Sequence, residues 1–220
     1  IENNPINLFY SEATESYDVD GKKPSRINNF KILNYNTERN QNLIEKLRLG
    51  TYANNRIFFN PLNGTITDSG KTLFKQSDYT SKTTNLGQEQ IRLPSIGDNS
   101  SQTLGDVPTR IITAVLDVGT MEQGISKDTN ADPTDYQSQS LLRYNFLFTQ
   151  FLNVVIPSNT NLRAGDKIEC FFPKISTNPA REYDTDVSGL YMIKELCHHF
   201  DARNSYTSLK LVRDTFGIKK

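Results

Sequence analysis

The chain has 220 residues with 25 basic and 25 acidic side chains, so its formal net charge is zero, and that length holds one large domain or two small ones. The balance argues against a nucleic-acid module or an anionic-membrane binder, since both need a basic excess to hold phosphates. Hydrophobic residues are 35% of the chain, low for a self-sufficient globule, but 12 Phe and 10 Tyr without a charge excess argue against wholesale disorder.

In chain order, residues 1–25 are polar and broken by Pro5, Gly21 and Pro24, which predicts an extended arm or loop. The opening Ile1 to Pro5 has neither the charged nor the apolar region of a signal peptide. Phe30 to Tyr35 predicts a short strand. Asn36-Thr37 is a candidate cap ahead of a short amphipathic helix whose Leu43, Ile44 and Leu47 share a face, with Gly50 as its stop. Tyr52 to Asn60 and Thr65 to Asp68 flank Asn63-Gly64, a hairpin signal. Residues 69–108 are mostly Ser, Thr, Gln, Asn and Gly, far longer than an ordinary connection, and such a segment needs a partner surface to hold it.

Arg110 to Val118 predicts a strand, and Gly119 to Asp132 a polar loop. From Asp132-Pro133 a helix is expected to about Gln150, with Leu141, Leu142, Asn145 and Phe148 on neighbouring faces. Four strands then follow: Phe151 to Ile156, Lys167 to Phe172, Gly189 to His199 and Ser205 to Arg213. In the last, Thr207, Leu209 and Leu211 alternate with Tyr206, Ser208, Lys210 and Val212, the pattern of a half-buried antiparallel strand. Four such strands closing on themselves would make a small barrel. The longest apolar runs, Phe146 to Phe148 and Val154 to Ile156, are strand-sized and far short of a membrane span.

The residue types that carry chemistry are present, but in the wrong arrangement. Asp68-Ser69-Gly70-Lys71-Thr72 resembles a phosphate loop, yet the spacing from Gly64 is one residue too long and a hairpin precedes it. Asp128 to Asp132 has the alternating oxygens of a calcium loop, but Pro133 stands where Gly is needed and Gln139 where a bidentate Glu is needed. Cys197-His198-His199 on a strand places Cys197 and His199 on one side and His198 on the other, so the three cannot converge on one metal. Glu182, Asp184 and Asp186 lie in a polar loop with no apolar pocket to raise a pKa.

No Gly-x-Ser-x-Gly nucleophile elbow occurs, and the sequons at Asn63 and Asn99 matter only in a secreted protein. Cys170 and Cys197 read as reduced core thiols, with a single bridge left open. No catalytic, cofactor-binding or metal-ligating residue is assigned, and no cofactor is expected. The chain reads as a non-enzyme.

The final third carries a resemblance. Arg143-Tyr144-Asn145 leads through Phe146-Leu147-Phe148 to Val154-Val155-Ile156-Pro157, then Leu162-Arg163-Ala164-Gly165-Asp166-Lys167-Ile168. Gly189-Leu190-Tyr191-Met192-Ile193 and His198-His199-Phe200 follow, and Tyr206 to Asp214 ends the run. This order resembles the closing barrel of the central baseplate hub proteins of contractile-tailed, T4-like bacteriophages, and the type VI secretion spike hubs share the plan. Upstream, Asn42 to Ala53 followed by Phe58-Phe59-Asn60-Pro61 is similar to the passage from the hub's middle domain into its first barrel. The resemblance implies a mainly β, α+β fold with small antiparallel barrels.

It also implies a division into a polar arm (1–25), a middle α+β region with return strands and a long loop (26–130), and a helix plus C-terminal barrel (131–220). With Ile1 in place of Met and no N-terminal barrel, it suggests the C-terminal part of a longer hub or a shortened relative. The implied function is mechanical. A homotrimer in the tail baseplate of the virion, assembled in the host cytoplasm, joins the sixfold tail tube to the threefold cell-puncturing spike. Its partners would be itself, the tube and spike proteins and other baseplate proteins, with no nucleic acid and no membrane in the resting state. Two other classes stay open: a carbohydrate- or receptor-binding β module of a virion or cell surface, and a peptidoglycan hydrolase carried on a spike.

Overall fold

A computed structural model of the chain describes residues 6–10, 29–39, 42–61, 64–66, 72–82, 85–98, 100–115, 133–174 and 183–218. Among the described residues it is mainly β with three short helices, the expected α+β class. The chain forms two compact units that interleave in sequence. One comprises Ile1–Asn40, Asn85–Ile91 and Leu147–Lys220; the other comprises Gln41–Thr84 and Arg92–Phe146. This differs from the consecutive blocks expected at residues 25 and 130, because distant strands pair in one sheet and the chain revisits the first unit at 85–91.

The first unit is a seven-stranded sheet. Its strands are β1 (Ile6–Tyr10), β2 (Asn29–Ile32), β3 (Asn34–Arg39), β8 (Gln150–Pro157), β9 (Lys167–Phe171), β10 (Gly189–Phe200) and β11 (Ser205–Arg213). They run in the order β2-β1-β9-β10-β11-β8-β3. The two edge strands are consecutive in the chain, separated by Leu33 alone. The sheet therefore curls until its edges meet in one stretch of backbone, which leaves little open edge.

The sequence reading of one strand from Phe30 to Tyr35 is corrected at Leu33. Ile32 and Tyr35 both turn inward, three residues apart, so strict alternation must fail between them. Leu33 donates its N–H to the Val155 carbonyl (2.8 Å) while Asn34 is the register partner of Val155. Two residues thus face one, a bulge that bends the strand from β1 toward β8. Nor do the four C-terminal strands close by themselves: residues 29–39 and β1 complete the wall, and β1 pairs in parallel with both β2 and β9. Part of the arm expected at 1–25 is therefore a sheet strand.

The core is the inner face of this sheet. Leu152, Val154 and Ile156 of β8, Leu209 and Leu211 of β11, and Tyr191 and Ile193 of β10 are buried on the two-residue period that the sequence shows. β8 and β11 pair without a break over eight residues, from Gln150↔Arg213 to Pro157↔Tyr206. Cys170 lies in the core as a free thiol, and Cys197 is free but exposed, so only one of the two is a core cysteine.

In the second unit β4 (Ala53–Asn60) is the central strand. β7 (Arg110–Val115) pairs with it in parallel, and β5 (Thr65–Ile66) and β6 (Leu73–Lys75) pair with it antiparallel. The Asn-Gly hairpin forms as expected, with Asn60 opposite Thr65 and the Gly64 N–H donating to the Asn60 carbonyl. Helix α3 (Pro133–Leu147) buries Ser138, Leu142 and Phe146, an i, i+4, i+8 face. Phe146 stacks on Tyr79 (5.0 Å) and meets Tyr52 edge-on (5.7 Å). The helix stops before Gln150, which opens β8.

The polar stretch 69–108 is more structured than its composition predicts. Its described residues include β6, helix α2 (Gln76–Lys82) and a folded-back segment in which Ser95 faces Thr103. There the Asp106 carboxylate accepts bonds from the Thr103 N–H and hydroxyl (both 2.9 Å), which hold it below the usual carboxylate range. Phe74 and Tyr79 anchor the first half of the stretch in the core, and local side-chain to backbone bonds hold the second half.

Helix α1 (Leu43–Arg48) departs from the amphipathic reading. Its cap is Asn42, whose side chain accepts the Glu45 N–H (3.2 Å), while Asn36 and Thr37 lie in β3. Ile44 is 65% exposed and the inward residue is Lys46, at 4%. A helix of six residues is too short for three apolar positions to dictate its rotation. Burial lowers the Lys46 amine from 10.5 to about 8 by desolvation. Above about 10.5 the amine is neutral in folded and unfolded chains alike. Between about 8 and 10.5 only the unfolded chain takes up the proton, so stability falls as pH drops through that window and is level below it. The expected penalty is about 3 kcal/mol. Denaturant melts of Lys46→Met should show its advantage over wild type shrinking by that amount between pH 8 and pH 10.5.

Candidate functional site

At one end of the curled sheet, β11 finishes in Arg213, fully buried. Its guanidinium donates to the Ser188 carbonyl (3.0 Å) and to the Gly217 carbonyl, and packs over the Tyr191 ring (5.1 Å). The residues that follow clasp the segment at 85–91. Asp214 accepts the Leu86 N–H (3.0 Å), and Thr215 Oγ1 accepts the Gly87 N–H (2.7 Å). Glu89 and Phe216 exchange both backbone bonds, at 2.8 and 2.7 Å. A Cβ on Gly87 would stand 2.3 Å from the Phe216 carbonyl oxygen. Sequence reasoning missed this clasp, since a bond between residues 86 and 214 has no local signature. Gly87→Ala should cost about 1–3 kcal/mol in denaturant melts and speed hydrogen exchange at Glu89 and Phe216.

The two motif runs that carry the hub resemblance meet in space. Leu162 to Ile168 makes a tight turn in which Gly165, at φ 94, occupies the left-handed region that favours glycine. The Gly165 N–H donates to the Ile193 carbonyl, and the Ile193 N–H to the Asp166 carbonyl, both at 2.9 Å. β9 then pairs antiparallel with the Gly189 to Met192 stretch of β10. Ser188 bonds Phe172 through both its hydroxyl hydrogen and its oxygen, fixing the entry to β10.

The Cys-His-His run lies on β10 with alternating direction. His199 and Cys197 are opposite Tyr206 and Ser208 on the outer face, and His198 pairs with Thr207 on the other. His199 stacks on Tyr206 (4.5 Å, 18°) and shares a bond with Ser208 (3.2 Å); His198 shares one with Thr207 (2.9 Å). The Cys170 thiol is pushed up by burial, a direction set against nucleophile chemistry. Asp184 and Asp186 belong to a turn, with Asp184 accepting the Asp186 N–H (2.9 Å). No three His, Cys, Asp or Glu among the described residues are grouped to hold a metal ion. Of the phosphate-loop lookalike only Thr72 is described, buried and bonded to Asn55 (2.6 Å). Residues 128–132, Asn63, Asn99 and Glu182 lie outside the described residues.

A shallow trough of about 230 Å³ crosses the outer face of β3, β8 and β11. Its registers run Asn36–Asn153–Lys210 and Asn34–Val155–Ser208. Lys210 is paired with Glu195 (2.9 Å), which also holds Lys194 (2.8 Å), and the two lysines keep the Glu195 carboxyl down at about 2. Among the described residues no helix is long and apolar enough to cross a membrane.

No family model matches the sequence, and no curated protein does. Among solved structures the chain is similar to the tail protein from Neisseria meningitidis MC58, at 10% identity and a TM-score of 0.42. The match covers 96% of this chain and 45% of that one, so the chain spans under half of that protein's length.

Proposed function

We propose that the chain is a structural protein of a contractile-tail virion, acting in the baseplate as the central hub between the tail tube and the cell-puncturing spike. What carries the reading is the meeting of the two hub-like motifs: the Leu162 to Ile168 turn is hydrogen-bonded to the Gly189 to Ile193 strand at Ile193. Runs that resemble a family in order alone need not touch. Here they form one corner of a curled sheet whose edges meet, the rigid wall that a force-transmitting ring requires.

A second support lies in the unit built on β4. Ile66, Phe59 and Val115 are direct cross-strand neighbours and therefore share a face, with exposures of 66, 44 and 66%. Among the described residues β7 pairs only with β4. An apolar row beside an open strand is costly in water and useful in an assembly. A mechanical role asks for no catalytic group, and it fits with Cys197 and His198 pointing to opposite faces and with the Cys170 thiol in the core. Partners are further copies of the chain, the tube, the spike and other baseplate proteins.

Light scattering over a wide concentration range tests the reading. It predicts a species of three times 25.0 kDa. A mass of one chain at every concentration, under conditions where tails assemble, overturns it.

A further inference from the structure

We infer that the trough on the outer face of β3, β8 and β11 binds a neutral saccharide. The hub reading neither requires nor supplies this site; it gives a location to the carbohydrate-binding class that the sequence left open. The side-chain amides of Asn34 and Asn36 bond nothing among the described residues, and Asn153 makes only a long bond (3.4 Å) to Glu38. Each amide offers two donors and an acceptor, the mixed complement that sugar hydroxyls satisfy. Val155 provides an apolar floor between Asn34 and Ser208, suited to the C–H face of a sugar ring.

Charge selects against other ligands. Lys210 and Lys194 share the Glu195 carboxylate, and Glu38 beside Asn153 supplies the second negative charge, so the four groups sum to zero. An anion would meet two carboxylates and a cation two ammonium groups. A wholly apolar ligand would strip water from the amides without replacing its bonds. Further along the same face, the stacked His199–Tyr206 pair lies beside Pro157 and offers flat rings. Tyr206 and Lys210 are four residues apart on β11, about 13 Å of strand, so a short oligosaccharide can reach from the amides to the rings.

The test is a titration of the full chain with chitotetraose and with cellotetraose, followed by calorimetry and by side-chain amide resonances in NMR. The inference predicts saturable binding of at least one of the two, with the Asn34 and Asn36 amide signals shifting. Asn36→Ala combined with Asn153→Ala should weaken binding at least tenfold, as should Tyr206→Ala alone. Phe200→Ala, exposed at the hairpin end and off the trough, should leave it unchanged. If the double variant fails to fold, the amide shifts and Tyr206→Ala decide. Absence of binding by both sugars, amide signals that do not move, or affinity unaltered in the variants overturns the inference. So does tighter binding of a sulfated oligosaccharide of the same length.

Discussion

The buried guanidinium of Arg213 is the constraint on which much of the first unit depends. A charge taken wholly out of water is costly unless it finds acceptors, and Arg213 gives Nη1 and Nη2 to two backbone carbonyls and its face to an aromatic ring, while its Nε–H has no partner among the described residues. Its acceptors lie at the entry to β10 and in the C-terminal turn, so one side chain pins the open end of the β10–β11 pair, where β10 begins and β11 finishes. The turn it holds then presents Asp214, Thr215 and Phe216 to residues 86–89. The same group dictates small neighbours, since a Cβ on Gly87 would meet Nη2 at 2.8 Å and one on Gly189 at 2.9 Å.

The bend at Leu33 complements that clasp. Arg213 sets one end of the sheet, and the bulge opposite Val155 lets a single stretch of chain serve as both of its edges. A sheet closed in this way resists shear, because slipping one strand would move an entire inner face out of the core. Its outer face is then free to be polar. The amide-lined trough and the Lys194–Glu195–Lys210 ion pairs occupy it without disturbing Leu152, Val154 or Leu209 behind them. Zero net charge suits the proposed assembly, in which copies would pack side by side and like charges would repel.

Legibility in the sequence followed the locality of the signal. β11 spans Ser205–Arg213, as its alternation predicts, and the Asn-Gly hairpin stands where its turn residues place it. β1 is not legible, because a short strand held by parallel neighbours from residues 29 and 168 leaves no turn beside it. α1 turns Ile44 outward and Lys46 inward against its apolar pattern, since six residues are too few for periodicity to decide. The opposite directions of His198 and His199 were legible from the strand period. The trough was not, because Asn34, Asn153 and Lys210 come together only through pairing of β3, β8 and β11.

The central claim is a place at the middle of a baseplate, and imaging tests it most directly. Gold-conjugated antibody against the C-terminal residues can be applied to contractile tails purified from a lysate of cells expressing this chain, followed by electron microscopy. The account predicts label at the centre of the baseplate end, where tube meets spike. Label along the sheath or on the head, or tails that lack the chain altogether, would contradict it.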